Sequence, residues 1–274
     1  MEKASESLGI AGSSPVVVSV PHAGRDYAPV LQAMLSVPVD RLRSLEDAYA
    51  DRLAADAARA GHVVVIARTP RLVIDLNRAE DDFDPAWISG ASLGGPMSAR
   101  VRSGLGLVPT RIAGVPAIWR GPLPRDELTR RIAVAHRPFH ASVADALAAA
   151  RRAHRTAVLI DLHSMPSLSL ADIVIGDRHG ASASPWVTEA AVAVFMEQGL
   201  RVAVNRPYAG AHILARHGRP ACDVHAVQVE IDRRLYLDTN QCSPGSGMAA
   251  MTAAVGRLAD RLAEAIGGHR LAAE

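Results

Sequence analysis

Short, wholly apolar runs alternate with longer amphipathic stretches along the chain, and several of the apolar runs stop at a polar residue capable of chemistry. Val16–Val20 runs into Pro21-His22-Ala23-Gly24, Ala157–Leu162 carries Asp161 and ends at His163-Ser164-Met165-Pro166, and Val224–Ile231 carries Glu230. Val63–Ala67, Arg71–Arg78, Asp172–Ile175 and Arg201–Val204 have the same short apolar character, and Arg71–Arg78 ends in Asp75-Leu76-Asn77-Arg78. Continuous apolar runs of this kind predict strands buried on both faces, as in a parallel sheet. Helical spacing predicts helices over Arg41–Ala60, Arg125–Arg152, Pro185–Gly199 and Gly245–Ile266. The second of these should break or kink at Pro138. Ala79–Pro124 is rich in Gly and Pro without a long period and predicts loops and short elements, and Pro207–Pro220, which carries His212 and His217, predicts a loop. Strands alternating with helices define an α/β fold with a mostly parallel sheet. A polar, small-residue segment over 1–14 predicts a flexible lead-in to a single domain over 15–270.

The 274 residues include 30 basic and 28 acidic side chains, a net charge of +2 that makes no case for a nucleic-acid or membrane surface. At 49% hydrophobic the chain can bury a sizeable core. Its 2 cysteines, Cys222 and Cys242, cannot build a disulfide framework or a cysteine-rich zinc site, so a reducing cytoplasm is the expected compartment. No stretch has the apolar length of a signal-peptide core at the start or of a membrane span elsewhere.

Ligand sites in open α/β sheets gather at the carboxyl ends of strands, which is where the polar residues fall. Asp161 and His163, two apart on a strand, point to one face. Neutral His is the commonest zinc ligand, and a catalytic zinc keeps three protein ligands. His22 and His163 are the natural pair, with Glu46 or Asp47 as the third ligand. Ser44-Leu45-Glu46-Asp47 also fits a capping box with Ser44 as N-cap and Asp47 at N3, which spacing alone favours over a ligand. Asn77-Arg78 suits a carboxylate, because the guanidinium fork fixes its orientation; an ion pair with Glu80-Asp81-Asp82 is the structural rival. Glu230, between Val229 and Ile231, is either a structural partner of Arg233 or Arg234 or a tuned general base. His136 and His140, at i and i+4 on a helix, lack the flanking pattern of a helical zinc motif and suit a supporting or substrate role.

Val20-Pro21-His22-Ala23-Gly24, Asp75-Leu76-Asn77-Arg78, His136-Arg137-Pro138-Phe139-His140, Asp161-Leu162-His163-Ser164, Pro207-Tyr208-Ala209-Gly210, His225–Ile231 and Arg233–Asp238 occur in the order seen in N-formylglutamate amidohydrolases. The resemblance covers roughly Val16 to Asp238. It implies a single-domain α/β/α sandwich of the phosphorylase/hydrolase-like kind, similar to zinc carboxypeptidases and aspartoacylases, with one zinc per chain. It further implies His22, Asp47 and His163 as metal ligands, with Glu46 as the fallback, and Glu230 as general base. Arg71 resembles a carbonyl-polarising arginine. Asn77 and Arg78 resemble a carboxylate-gripping pair, and His140 and His225 are expected to join them in binding substrate. The implied activity is release of formate from N-formyl-L-glutamate, a step in histidine breakdown. The same chemistry on another N-acyl amino acid or a peptide is the alternative, as is a non-catalytic carboxylate-binding module. The partner expected is a small N-acyl amino acid, not nucleic acid or membrane. Two departures fall near the implied pocket: Ala211-His212-Ile213-Leu214 replaces the family's Gly, aromatic, Ile and Thr, and Asp232 stands where Asn is usual.

Overall fold

Residues 16–20 are β-branched or small and fully buried, and they form the parallel strand from which the sheet grows in both directions. The computed structural model describes residues 4–91, 96–167 and 170–273. The strands are β1 (Ser5–Leu8), β2 (Val16–Val20), β3 (Val63–Ala67), β4 (Ile88–Ser89), β5 (Leu123–Pro124), β6 (Ala157–Met165), β7 (Ile173–Gly176), β8 (Val202–Val204) and β9 (Val224–Asp232). Seven of them make one sheet in the order β1-β3-β2-β6-β9-β7-β8, and β4 and β5 pair separately. The β2, β3, β6 and β9 neighbours run parallel, while β1 on β3 and β7 on β9 run antiparallel.

The helices are α1 (Pro29–Ala33), α2 (Ala50–Leu53), α3 (Ala55–Arg59), α4 (Ala99–Arg102), α5 (Arg125–Arg131), α6 (Arg137–His154), α7 (Pro185–Met196), α8 (His212–His217) and α9 (Met248–Ala273). The period of two along each strand divides them into layers. Val16, Val18, Val158, Ile160, Val227 and Val229 pack with Leu53, Ala57, Phe195 and Leu258 from α2, α3, α7 and α9. Val17, Ala157, Leu159 and Ala226 pack on the opposite face with Phe139, Val143 and Leu147 of α6 and Ile213 of α8. The result is a single-domain α/β/α sandwich with a mixed, mostly parallel sheet, as the resemblance implies. Ser19, Asp161, His163, Gln228 and Glu230 share parity with the α6-side residues, so the polar strand ends emerge on that face. Among the described residues no helix is long and apolar enough to cross a membrane.

Several local expectations are corrected. Residues 5–8 of the segment expected to be flexible form an antiparallel edge strand on β3, and Arg68 ties Glu6 to it at 2.6 Å. The helix expected over Arg41–Ala60 is a 3-10 turn over Val39–Leu45, an irregular step, and then α2 and α3. Glu46 is extended and Tyr49 is left-handed at φ 60°, so no helix can pass through them. Ser44 lies inside the 3-10 turn and the capping box does not form. Arg71–Arg78 is not a strand: the Asp75 carboxylate accepts the Asn77 N–H at 2.8 Å and the Asp75 N–H donates to Leu107. Such local side-chain bonds divert the backbone from a ladder, although Leu72, Ile74 and Leu76 remain buried. Pro138 does not break the long helix. A π turn over Ile132–His136 widens it ahead of α6, whose second residue is Pro138. The stretch 207–220 is not all loop, because it holds α8.

Candidate metal and substrate site

Parallel pairing brings the carboxyl ends of β2, β6 and β9 side by side. Ser19 stands opposite Asp161, and His163 opposite Glu230. Past β2, Pro21 cannot donate to the ladder and the chain turns out with His22 beneath it. Gly24 lets this turn press against Arg68 and Thr69, since a Cβ there would meet Arg68 O at 2.4 Å. The Asp47 N–H donates to His22 O at 3.0 Å, which fixes the irregular step after the 3-10 turn against the strand end.

The side chains converge accordingly. His22 Nδ1 and His163 Nδ1 lie 3.2 and 3.0 Å from Asp47 Oδ2. The opposite nitrogens are tied outward: His22 Nε2–H donates to Asp75 at 2.8 Å and His163 Nε2–H to Asp161 at 2.9 Å. Carboxylates in this position orient the rings, so that both Nδ1 atoms face Asp47. The carboxylates are themselves held. Asp161 accepts from Ser19 at 2.7 Å and Asp75 from Arg71 at 2.9 Å. Asp47 Oδ1 accepts from Ser164 at 3.0 Å and from Arg233 at 3.4 Å, leaving Oδ2 to the histidines.

All these side chains except Arg71 are buried nearly completely. Burial pushes the Asp47 carboxyl up, but His163 and His22 outweigh it and hold it well below the usual carboxylate range. Burial pushes His163 down, but Asp161 and Asp47 outweigh it and raise it well above its ordinary value. The pocket favours positive charge beside these rings. Two imidazole nitrogens and one carboxylate oxygen, oriented and nearly dry, could hold a divalent metal ion.

A cavity of about 550 Å³ opens over this trio. Arg71, Asn77, Arg78, Arg100, Arg111, Tyr208, Ala211, Gln228, Glu230 and Arg233 all line it. Gln228 donates to Glu230 at 3.0 Å, and burial pushes the Glu230 carboxyl up to about 7. Arg78 is fixed by donating to Leu105 O at 2.9 Å and Asn77 O at 2.6 Å. Asn77 accepts from the Ile213 N–H at 2.8 Å.

The structure thus gathers His22, Asp47, His163, Glu230, Arg71, Asn77 and Arg78 around one cavity. Glu46 points elsewhere and accepts from Tyr27 at 2.6 Å. His140 does not line the cavity: its ring is buried beneath the Asn77 segment, donating to Leu76 O at 3.0 Å and paired with His217 at 2.9 Å. His225 sits at the opposite end of β9 from Glu230, against Trp186, and accepts from the Ser184 N–H at 3.3 Å. Neither lines the cavity. Sequence reasoning missed Asp75 and Asp161 as orienting partners, although the two-residue spacing of Asp161 and His163 carried the signal. Arg233 was considered only as a partner of Glu230; it instead reaches the backbone of Glu46 and the Asp47 carboxylate. Of the two departures, Ala211 lines the cavity, whereas Asp232 is buried outside it and pairs with Arg234.

A mixed α/β/α sandwich with a histidine–carboxylate trio at its parallel strand ends is a hydrolase-like architecture. The model of the N-formylglutamate amidohydrolase family matches residues 14–237, and the chain belongs to that family. It is similar to the N-formylglutamate deformylase of Pseudomonas aeruginosa, at 31% identity over 239 residues, covering 83% of this chain and 84% of that protein. The N-formylglutamate deformylase of Pseudomonas putida is likewise 31% identical, over 241 residues and 84% of each chain. The crystal structure of N-formylglutamate amidohydrolase from Ralstonia eutropha JMP134 superposes with a TM-score of 0.87 at 31% identity, covering 97% of this chain and 99% of that one. A gene product of Agrobacterium tumefaciens shares the fold at a TM-score of 0.69 and 20% identity, covering 100% of this chain and 96% of that one.

Proposed function

We propose that this chain is a zinc-dependent amidohydrolase that releases formate from N-formyl-L-glutamate. The observation that carries the reading is the convergence of His22 Nδ1, His163 Nδ1 and Asp47 Oδ2 below a cavity that also holds Glu230 and several arginines. The names of the Pseudomonas relatives support the substrate. The catalytic zinc would be held by His22, His163 and Asp47. Bound there, it supplies Lewis acidity and lowers the pKa of water toward neutrality.

Glu230 accepts the proton of the attacking water and delivers it to the leaving amine nitrogen, a role suited to a carboxyl that burial has moved near neutral pH. Arg71 offers its guanidinium to the carbonyl oxygen as negative charge develops there. Asp75, which accepts from both Arg71 and His22, keeps the arginine and the ligand in one rigid unit. Arg78 and Asn77 grip the substrate carboxylate and align the amide. Arg100 and Arg111 add positive charge to the same cavity, which suits the second carboxylate of a glutamate side chain.

Ala211 favours a second reading, the same chemistry on a neighbouring N-acyl amino acid, because it alters the wall of the cavity where the family usually has Gly. The test is formate or acid release from a panel of N-formyl and N-acetyl amino acids. N-formyl-L-glutamate should have the highest kcat/KM. A better N-acyl amino acid would move the assignment to the second reading, and tight binding with no turnover of any member would make the chain a carboxylate-binding module.

A further inference from the structure

Among the described residues only three buried side-chain polar atoms lack a partner, and two are imidazole nitrogens of one cluster, His136 Nδ1 and His212 Nε2. The third ring of the cluster is His140. Ligand nitrogens of His136, His140 and His212 lie within 4.8 Å of one another, with ring centroids 4.5 to 5.9 Å apart. Two tautomers are fixed by backbone carbonyls. His136 Nε2–H donates to Arg78 O at 2.8 Å and His140 Nε2–H to Leu76 O at 3.0 Å. Each therefore presents its lone pair on Nδ1. His140 Nδ1 accepts from His217 Nε2–H at 2.9 Å. Glu80 Oε1 lies 3.7 Å from His136 Nδ1, beyond hydrogen-bond reach.

A buried lone pair with nothing to accept is costly. Two unpartnered imidazole nitrogens beside a third ring held by a backbone carbonyl match the way metal-binding histidines are oriented, and a bound ion would take His140 Nδ1 from His217. We propose that His136, His140 and His212 form a second metal site, separate from the His22–Asp47–His163 trio, that takes a divalent first-row ion such as zinc.

Three neutral imidazoles favour such an ion over calcium or magnesium, which prefer oxygen. Zn–N bonds of about 2.0–2.1 Å require the rings to draw together. His212, half-buried at the start of α8, is the least buried ring of the three. The site lies directly behind the cavity. His136 and His140 hold Arg78 O and Leu76 O, and Ile213, next to His212, holds the Asn77 side chain. A bound ion cross-links the π turn, α6 and α8 around the Leu76–Arg78 segment and stiffens it. This inference stands independently of the catalytic assignment.

The test is zinc titration and elemental analysis of the full chain, stripped with chelator and reloaded. Wild type should hold two zinc equivalents, His212→Leu one, and Asp47→Ala one. The Asp47→Ala variant should also gain thermal stability on adding zinc, and added cobalt(II) should give it the visible bands of a nitrogen-ligated ion. Neither readout needs the His212 variant to fold. One equivalent in wild type, lost in Asp47→Ala with no zinc-dependent rise in Tm, overturns the second site. One equivalent kept in Asp47→Ala and lost in His212→Leu upholds it and removes the catalytic metal instead.

Discussion

His22 donates through Nε2 to Asp75 at 2.8 Å, although 53 residues separate them in the chain. That contact decides which nitrogen of the ring faces Asp47. Asp75→Asn keeps the shape but removes the charge that orients the ring. Zinc affinity should fall by about 10–100-fold, the usual effect of removing such a partner, in a competition assay against a chromophoric chelator. Unchanged affinity would show that His22 is oriented by other means.

The two candidate carboxylates at the strand end separate in the same assay. Asp47→Ala should lose the zinc that occupies the His22–His163 site, whereas Glu46→Ala should keep it, because Glu46 faces Tyr27. Loss of zinc in the Glu46 variant alone would reverse the assignment.

The strands and the polar residues at their ends were legible in the sequence because buried parallel strands are continuous apolar runs, and β2 was bounded correctly to the residue. Asp47 was not separable from a helix cap, since its role depends on the left-handed Tyr49 and on the backbone bond to His22, which leave no periodic signal. Arg71–Arg78 alternates as a strand would, and only the tertiary contacts of Asp75 show that it is a shaped loop. His140 and His225 belong to motifs that match the family, yet a motif records neighbourhood in the chain and not which side of a segment faces the cavity. The histidine cluster was hidden because His212 and His217 lie in a Gly-bearing stretch that reads as loop until α8 packs against α6.

Arg78 should recognise the substrate carboxylate. Arg78→Ala should raise KM by about 10–100-fold, the worth of a hydrogen bond to a charged group of roughly 1.5–3 kcal/mol. Arg78→Lys should restore only part of it, because the planar fork is lost. Since Arg78 also holds Leu105 O and Asn77 O, Tm should be followed alongside. An amidated substrate turned over as fast as the free acid would exclude the role.

Asp177 gives a pH dependence remote from the cavity. Burial pushes its carboxyl up, but hydrogen bonds from Asn205, the Gly180 N–H and Thr188 outweigh it and hold it below the ordinary value. A depressed folded pKa stabilises the fold above the unfolded value of about 3.9 and loses that contribution as pH falls through it. Wild type should therefore exceed Asp177→Asn in urea stability above about pH 5, and the gap should narrow toward pH 3. A gap that does not change with pH would leave the carboxylate's charge without a part in it.

Glu230 separates an enzyme from a binding protein. It stands opposite His163 in the β6–β9 register, buried, with its carboxyl near neutral pKa and Gln228 as its hydrogen-bond donor. Its structural rivals are elsewhere: Arg233 reaches Asp47 and Ser164, and Arg234 pairs with Asp232. Among the described residues no arginine hydrogen-bonds to Glu230, so replacing it should disturb the fold little. Glu230→Gln preserves size and polarity but cannot take a proton. The variant should keep its zinc, its Tm and near-normal substrate affinity, while kcat falls by about two to four orders of magnitude, the usual worth of a positioned base. Near-wild-type turnover with a lowered Tm would return Glu230 to a structural role and require another residue to accept the proton from water.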